Sequence, residues 1–221
     1  MEPQFWHERW QRNEIGFHQD APHPSLDRHW SALALPAGSR VFVPLAGKSH
    51  DLLWLAERGH EVVGIELSKL AVQQFNAELA AAPQPWQQRI DLRCGDFFAL
   101  DAGKLGPIDA VFDRAALIAL PAAMRGAYAR QMLSLLQPRT RLLLVTLEYD
   151  PSQMSGPPHS VGESEVRALY GHRLSVEMLT RDEQLADFPK FAERGVRALS
   201  EVTWSLAALA PAQPAQPAQP A

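Results

Sequence analysis

The chain has 221 residues, 46% of them hydrophobic and 21% charged, with a net charge of −4. That length suits one domain with a full core, and the acidic balance argues against a nucleic-acid groove, which needs a basic face. No apolar run reaches the ~18 residues of a membrane span, the N-terminus lacks a signal-peptide core, and the lone Cys94 excludes an internal disulfide and fits a reducing cytoplasm.

Residues 1–38 are predicted as a helical lid. Trp6 and Trp10 share one helical face beside Phe5 and Arg9, a loop runs from Gly16 to Pro24, and Leu26, Trp30 and Leu33 mark a second short helix. Beyond Ser39 the hydrophobic period switches repeatedly between strand and helix. Strands are predicted near 40–46, 61–66, 90–95, 108–113, 141–148, 174–179 and 199–208, with helices at 49–58, 68–80 and 121–136. Strand alternating with helix predicts a mainly parallel, Rossmann-like α/β sheet of seven strands with helices on both faces. After Gly171 the alternation lapses into two strands joined by a long connection, which predicts antiparallel closure. A single domain over 1–209 is expected. The repeated Pro-Ala-Gln of residues 210–221 cannot build a core and reads as a disordered tail.

The first strand breaks at Pro44-Leu45-Ala46-Gly47-Lys48, and the second ends in Glu66, nineteen residues after Gly47. A small-residue turn lets backbone approach a ligand, and an acid at the second strand's end can accept hydrogen bonds from two ribose hydroxyls. A phosphate loop needs a glycine where Phe42 stands, and a dinucleotide fingerprint needs three glycines where only Gly47 is present. Lys48 is expected in solvent. Asp96, ahead of Phe97, is placed either to meet an adenine amine or to cap a turn. Asp113-Arg114 ends the fourth strand, either as a ligand-facing pair or as a surface ion pair. Trp6, Trp10 and Phe17 are either core or an aromatic lid over a cationic ligand. His18 and His23 show no metal spacing, Cys94 reads as packing inside a strand, and no nucleophile-and-base arrangement stands out.

Together these segments resemble the bacterial thiopurine S-methyltransferase family. The resemblance rests on Phe5-Trp6-His7-Glu8-Arg9-Trp10 with Gly16-Phe17-His18-Gln19, then Val43 to Ser49, Gly59 to Ser68, and Asp113-Arg114-Ala115-Ala116-Leu117. It implies a class I methyltransferase binding S-adenosylmethionine, with no metal, through Trp10, Leu45, Glu66 and Arg114. Asp96 and Phe97 match less strictly, and Phe17 matches an aromatic near the acceptor. Ala46 stands where the family usually has cysteine. The implied reaction is methyl transfer to a small thiol or chalcogen (selenium, tellurium) acceptor, in which Arg114 orients the donor's carboxylate or the acceptor. By position, the 149–158 loop and the 186–197 segment, with Phe188, Phe191 and Arg194, are candidate acceptor contacts. A monomer without membrane or nucleic-acid partners is expected. The rival readings are a nucleotide-binding oxidoreductase on a similar sheet and a non-catalytic cofactor sensor.

Overall fold

A computed structural model describes residues 3–209; the predicted tail, 210–221, lies outside the described residues. In chain order the elements are α1 (Pro3–Gln11), α2 (Pro24–His29) with a 3-10 turn (Trp30–Leu33), β1 (Arg40–Val43), α3 (His50–Glu57), β2 (Glu61–Glu66) and α4 (Lys69–Ala81). They continue with β3 (Ile90–Cys94), α5 (Ala102–Leu105), β4 (Ala110–Arg114), α6 (Ala122–Leu135), β5 (Arg141–Glu148), α7 (Glu163–Tyr170), β6 (Leu174–Glu183), α8 (Pro189–Glu193) and β7 (Ser200–Ala208).

All seven strands form one sheet in the order β3-β2-β1-β4-β5-β7-β6. β1 to β5 pair in parallel, and β7 is antiparallel to both β5 and β6. The expected seven-stranded sheet with one antiparallel closing strand is therefore present. β7 alone is reversed, and it is inserted between β5 and β6. The order reverses between β1 and β4, which opens a crevice at the carboxyl ends of these strands, where open α/β sheets bind ligands.

The two faces are covered by different helices. On one, Val41, Val43, Phe112, Leu143 and Val145 pack under Leu26, Trp30, Leu52 and Leu55 from α2, the 3-10 turn and α3. On the other, Phe42, Val111, Leu142, Leu144 and Trp204 pack under Tyr128 and Met132 of α6 and Val166 and Tyr170 of α7. Trp204 is fully buried, and its indole N–H donates to Thr146 Oγ1 at 2.9 Å. Burying each large side chain stabilises the fold by roughly 1.5–3 kcal/mol. Ser49 and Ser68 start α3 and α4 by accepting from the Asp51 and Ala71 N–H groups.

Three sequence expectations need correction. β1 stops at Val43 rather than 46, because Pro44 offers no N–H and Leu45 takes a left-handed φ of 47°. β3 is an edge strand with a single neighbour, so Cys94 is exposed and not packed. α7 was not foreseen, although Val166 and Tyr170 stand one helical turn apart behind the acidic first-turn residues Glu163 and Glu165.

Candidate active site

The first turn is tied to β2 residue by residue. Gly64 makes the approach possible, since a Cβ there would lie 2.7 Å from Leu92 Cδ1 and 3.3 Å from the Ala46 methyl. The Ala46 N–H donates to the Ile65 carbonyl at 2.9 Å. Glu66, buried at the end of β2, then accepts from Gly47 N–H (2.9 Å, Oε2) and from Ser68 N–H (2.6 Å, Oε1). The acid expected to await a ligand already clamps two turns. Each carboxylate oxygen retains a further lone pair, so the clamp remains able to accept hydroxyl donors. Burial pushes the Glu66 carboxyl up; the N–H groups of Ser68, Gly47 and Leu67 pull it back, as does His7 of α1.

Gly47 has a φ of +56°, and a Cβ there would meet the Trp10 ring at 3.3 Å. Trp10, 3% exposed, thus sits directly on the turn. Trp6 and Trp10 both meet the partly exposed Phe17 edge to face, at 5.6 and 5.7 Å. The three aromatics therefore form one cluster over the crevice. Lys48 is not free in solvent: its ammonium pairs with Glu78 of α4 at 2.6 Å. Beyond Glu66, a cleft of about 370 Å³ runs between α1 and the start of α4, lined by His7, Gln11 and residues including Leu67 and Lys69.

Asp113 and Arg114 do not pair with each other, because strand alternation sends them to opposite faces. Asp113 is fully buried and accepts from the Tyr128 hydroxyl (2.8 Å) and, more weakly, from Leu117 N–H (3.3 Å). Burial raises its pKa from 3.8 to about 6, against the pull of those two donors. The folded protein therefore holds this proton more tightly than the unfolded chain does. The ionised form costs about 3 kcal/mol above pH 6, and that cost is relieved as pH falls toward the ordinary value. Asp113→Asn is accordingly expected to raise the melting temperature near neutral pH and to flatten its change between about pH 4 and 6. Thermal unfolding across that range checks this; an unaltered pH dependence would contradict it.

Arg114 lies on the α3 face, and Ala115 after it has a left-handed φ of 64°. The turns after both strands flanking the crevice thus contain left-handed, non-glycine residues, Leu45 and Ala115. Such backbone costs of order 1–3 kcal/mol and clusters at functional sites. Burial lowers the Arg114 pKa, and the nearby Asp51 and Glu201 carboxylates raise it, yet neither comes within ion-pair distance. Among the described residues the guanidinium has no salt-bridge partner, which leaves its donors for a ligand.

Asp96 is exposed, and its carboxylate caps Phe98 N–H at 2.9 Å. Phe97 turns into the core, stacked 4.6 Å from Tyr128, and does not reach the crevice. Half-buried Phe98 is the ring left beside Asp96. The 149–158 and 186–197 segments do come together. Phe191 meets Tyr149 and Phe188 edge to face, Arg194 reaches the Pro157 carbonyl at 3.5 Å, and Gln153 accepts from Arg197 N–H. His159 N–H binds the Ile118 carbonyl at 2.7 Å, which anchors this unit beside the end of β4.

A polar group on the α3 face was missed from sequence. His23, 3% exposed, donates from its backbone N–H to Asp51 Oδ1 (2.7 Å), and its Nε2 lies 3.1 Å from Glu201 Oε2 on β7. His23 therefore has acidic partners, but they stand 28 and 178 residues away and leave no spacing signal. Among the described residues no group of three or more His, Cys, Asp or Glu could hold a metal ion, and no helix is long and apolar enough to cross a membrane.

The clamped acid and the guanidinium without a salt-bridge partner thus stand at the carboxyl edge of the sheet where the strand order reverses, the place where open α/β sheets bind ligands. Solved methyltransferases share the fold. A Burkholderia thailandensis 1,6-didemethyltoxoflavin N1-methyltransferase holding S-adenosylhomocysteine superposes with a TM-score of 0.65 at 17% identity, covering 93% of this chain and 87% of its own. A glycopeptide N-methyltransferase complexed with S-adenosylmethionine gives 0.60 at 17% identity, over 84% and 94%. Family membership comes from sequence. The thiopurine S-methyltransferase family model matches residues 1–208. A thiopurine S-methyltransferase of Pseudomonas fluorescens is 50% identical over 91% of this chain and 96% of its own, and one of Nitrosospira multiformis is 44% identical over the same shares. The chain belongs to the thiopurine S-methyltransferase family and is an S-adenosylmethionine-dependent methyltransferase. Neither the oxidoreductase nor the sensor alternative is favoured.

Proposed function

We propose that the crevice transfers the methyl group of S-adenosylmethionine to the sulfur of a small thiol or thione, thiopurines among them, with selenium and tellurium species as further soft acceptors. The observation that carries this is that a clamped carboxylate at the end of β2, tied to the turn after β1, and a guanidinium without a salt-bridge partner at the end of β4 stand at one edge of the sheet near an aromatic cluster. The relatives' shared name, thiopurine S-methyltransferase, supports sulfur as the acceptor atom.

The donor chemistry of the site fits the cofactor. Glu66 has lone pairs for the two ribose hydroxyls, and the left-handed turn at Leu45 and Gly47 brings backbone close to the ligand. Asp96 faces the adenine amine, with Phe98 rather than Phe97 as the ring beside it. Arg114 orients the donor's carboxylate or the acceptor by charge-assisted hydrogen bonds. When bound, the cofactor supplies a methyl group on a sulfonium. Trp6, Trp10 and Phe17 exclude water around it, and their faces favour a cation by roughly 0.5–2 kcal/mol. The chain's main catalytic contribution is alignment of the acceptor sulfur with the methyl carbon. The 149–158 and 186–197 segments, with Phe188, Phe191 and Arg194, shape the acceptor side. A cytoplasmic monomer acting on small molecules, without metal, completes the proposal.

The test is a panel assay with the full chain, S-adenosylmethionine and a thiopurine, an aryl thiol, selenite and tellurite. S-adenosylhomocysteine is expected to form in step with S-methylated thiopurine. Methyl transfer only to nitrogen or oxygen, or to no acceptor, would overturn the proposal.

A further inference from the structure

β7 is the reversed strand, so its first residues lie at the carboxyl edge of the parallel strands, beside the crevice. Glu201 is opposite Leu147 of β5 and Asp182 of β6. It lies on the α3 face with Arg114, and its charge is felt there. The groups around it are His23 before α2, Asp51 of α3, Arg114 of β4, and Asp182 of β6, itself paired with Arg28 of α2 at 3.0 Å.

The hydrogen-bond directions distinguish the two acids near Arg114. His23 Nδ1 faces the Ser25 N–H (3.3 Å) and the Ser25 hydroxyl (2.7 Å); with Nδ1 accepting from Ser25, the assigned tautomer carries its ring proton on Nε2, 3.1 Å from Glu201 Oε2. Asp51, 2% exposed, has both oxygens engaged, Oδ1 by His23 N–H and Oδ2 by the Ser49 hydroxyl (2.7 Å each). Glu201 Oε1 has no donor among the described residues, and the side chain keeps 15% of its surface. His23 thus fixes one oxygen of Glu201 and leaves the other open beside a guanidinium. A hydrogen-bond donor next to an acceptor matches a ligand carrying an acceptor atom next to an N–H, as in the H–N–C=S unit of a heteroaromatic thione.

We propose that Glu201, held by His23, is the proton acceptor for thione substrates. This rests on the sulfur methylation proposed above. The thione sulfur forms a bond to the methyl carbon while that carbon's bond to the donor sulfonium breaks, its electron pair staying on the donor sulfur. The C=S bond becomes single, the N–H pair becomes a C=N bond, and the proton passes to Glu201 Oε1. An acceptor that arrives as a thiolate has no such proton to lose, so it needs Glu201 less.

The test compares Glu201→Gln with the wild-type protein on a heteroaromatic thione and on an aryl thiolate already ionised at the assay pH. The ratio of kcat/KM for thione to that for thiolate is expected to fall by roughly 10²–10⁴-fold, the usual worth of general base catalysis. Equal losses on the two acceptors would overturn the proposal, as would a loss of S-adenosylmethionine affinity in calorimetry, which would put Glu201 in the donor half. The wild-type protein gives a second readout that does not depend on the variant folding. A thione whose ring N–H is replaced by N–CH₃ is expected to react as poorly as the N–H thione does with the variant; equal rates for the two thiones would count against the proton step. If no sulfur acceptor reacts even with the wild-type protein, it is the sulfur-methylation reading that fails.

Discussion

Glu66→Ala is expected to weaken S-adenosylmethionine binding by roughly 10²–10⁴-fold, since each hydrogen bond from a ribose hydroxyl to the charged carboxylate is worth about 1.5–3 kcal/mol. The same substitution strips the Gly47 and Ser68 N–H groups of their acceptor. Leaving a buried donor unpaired costs about 1–3 kcal/mol, so a lowered melting temperature should accompany the lost affinity. Glu66→Gln separates the two effects. Its amide oxygen still accepts one of the backbone N–H groups, so stability should recover more than affinity does. Calorimetric titration of the two variants, with thermal unfolding beside it, reads both quantities. An unchanged dissociation constant for Glu66→Ala would remove the acid from the cofactor site and leave it only the clamp.

Arg114→Ala is expected to cost roughly 10²-fold or more in kcat/KM, from the loss of charge-assisted and bidentate hydrogen bonds to an anionic group. Arg114→Lys should restore only part of this, because an ammonium cannot reproduce the planar fork. The effect on folding should be small, since the guanidinium has no salt-bridge partner among the described residues and the Asp51 and Glu201 carboxylates nearby are held by His23. Steady-state kinetics with each reactant varied in turn shows which one Arg114 holds. A rise in KM confined to S-adenosylmethionine points to the donor's carboxylate, and a loss confined to the acceptor points to the other half. Wild-type kinetics in Arg114→Ala would contradict any role in the crevice.

Local spacing made the donor half legible. Gly47 and Glu66 belong to one strand-helix-strand unit, and the length of a helix crossing fixes their separation, so their hydrogen bond could be anticipated as proximity. That Glu66 would be a clamp as well as a ligand acceptor depends on Gly64 letting Ala46 close onto β2, a packing detail without a periodic signature. Asp113 and Arg114 could have been separated in advance, because adjacent strand residues face opposite ways. Phe97 could not, since a 3-10 turn after Asp96 decides which of two consecutive phenylalanines turns inward. The Glu201–His23–Asp51 group was invisible for a different reason. It forms only once β7 is inserted between β5 and β6, and hydrophobic pattern identifies a strand without fixing its neighbours. Ser200 to Ala208 could be recognised as a strand from its residues; its place in the sheet is a property of the assembled core around Trp204.

The central claim is that the crevice between the ends of β1 and β4 holds S-adenosylmethionine. A crystal structure of the full chain with S-adenosylhomocysteine tests it most directly. The ribose hydroxyls are expected on Glu66, the homocysteine portion beside the Leu45–Gly47 turn and the end of β4, and Trp10 over the ligand. A ligand found away from Glu66 and from the ends of β1 and β4 would contradict the account.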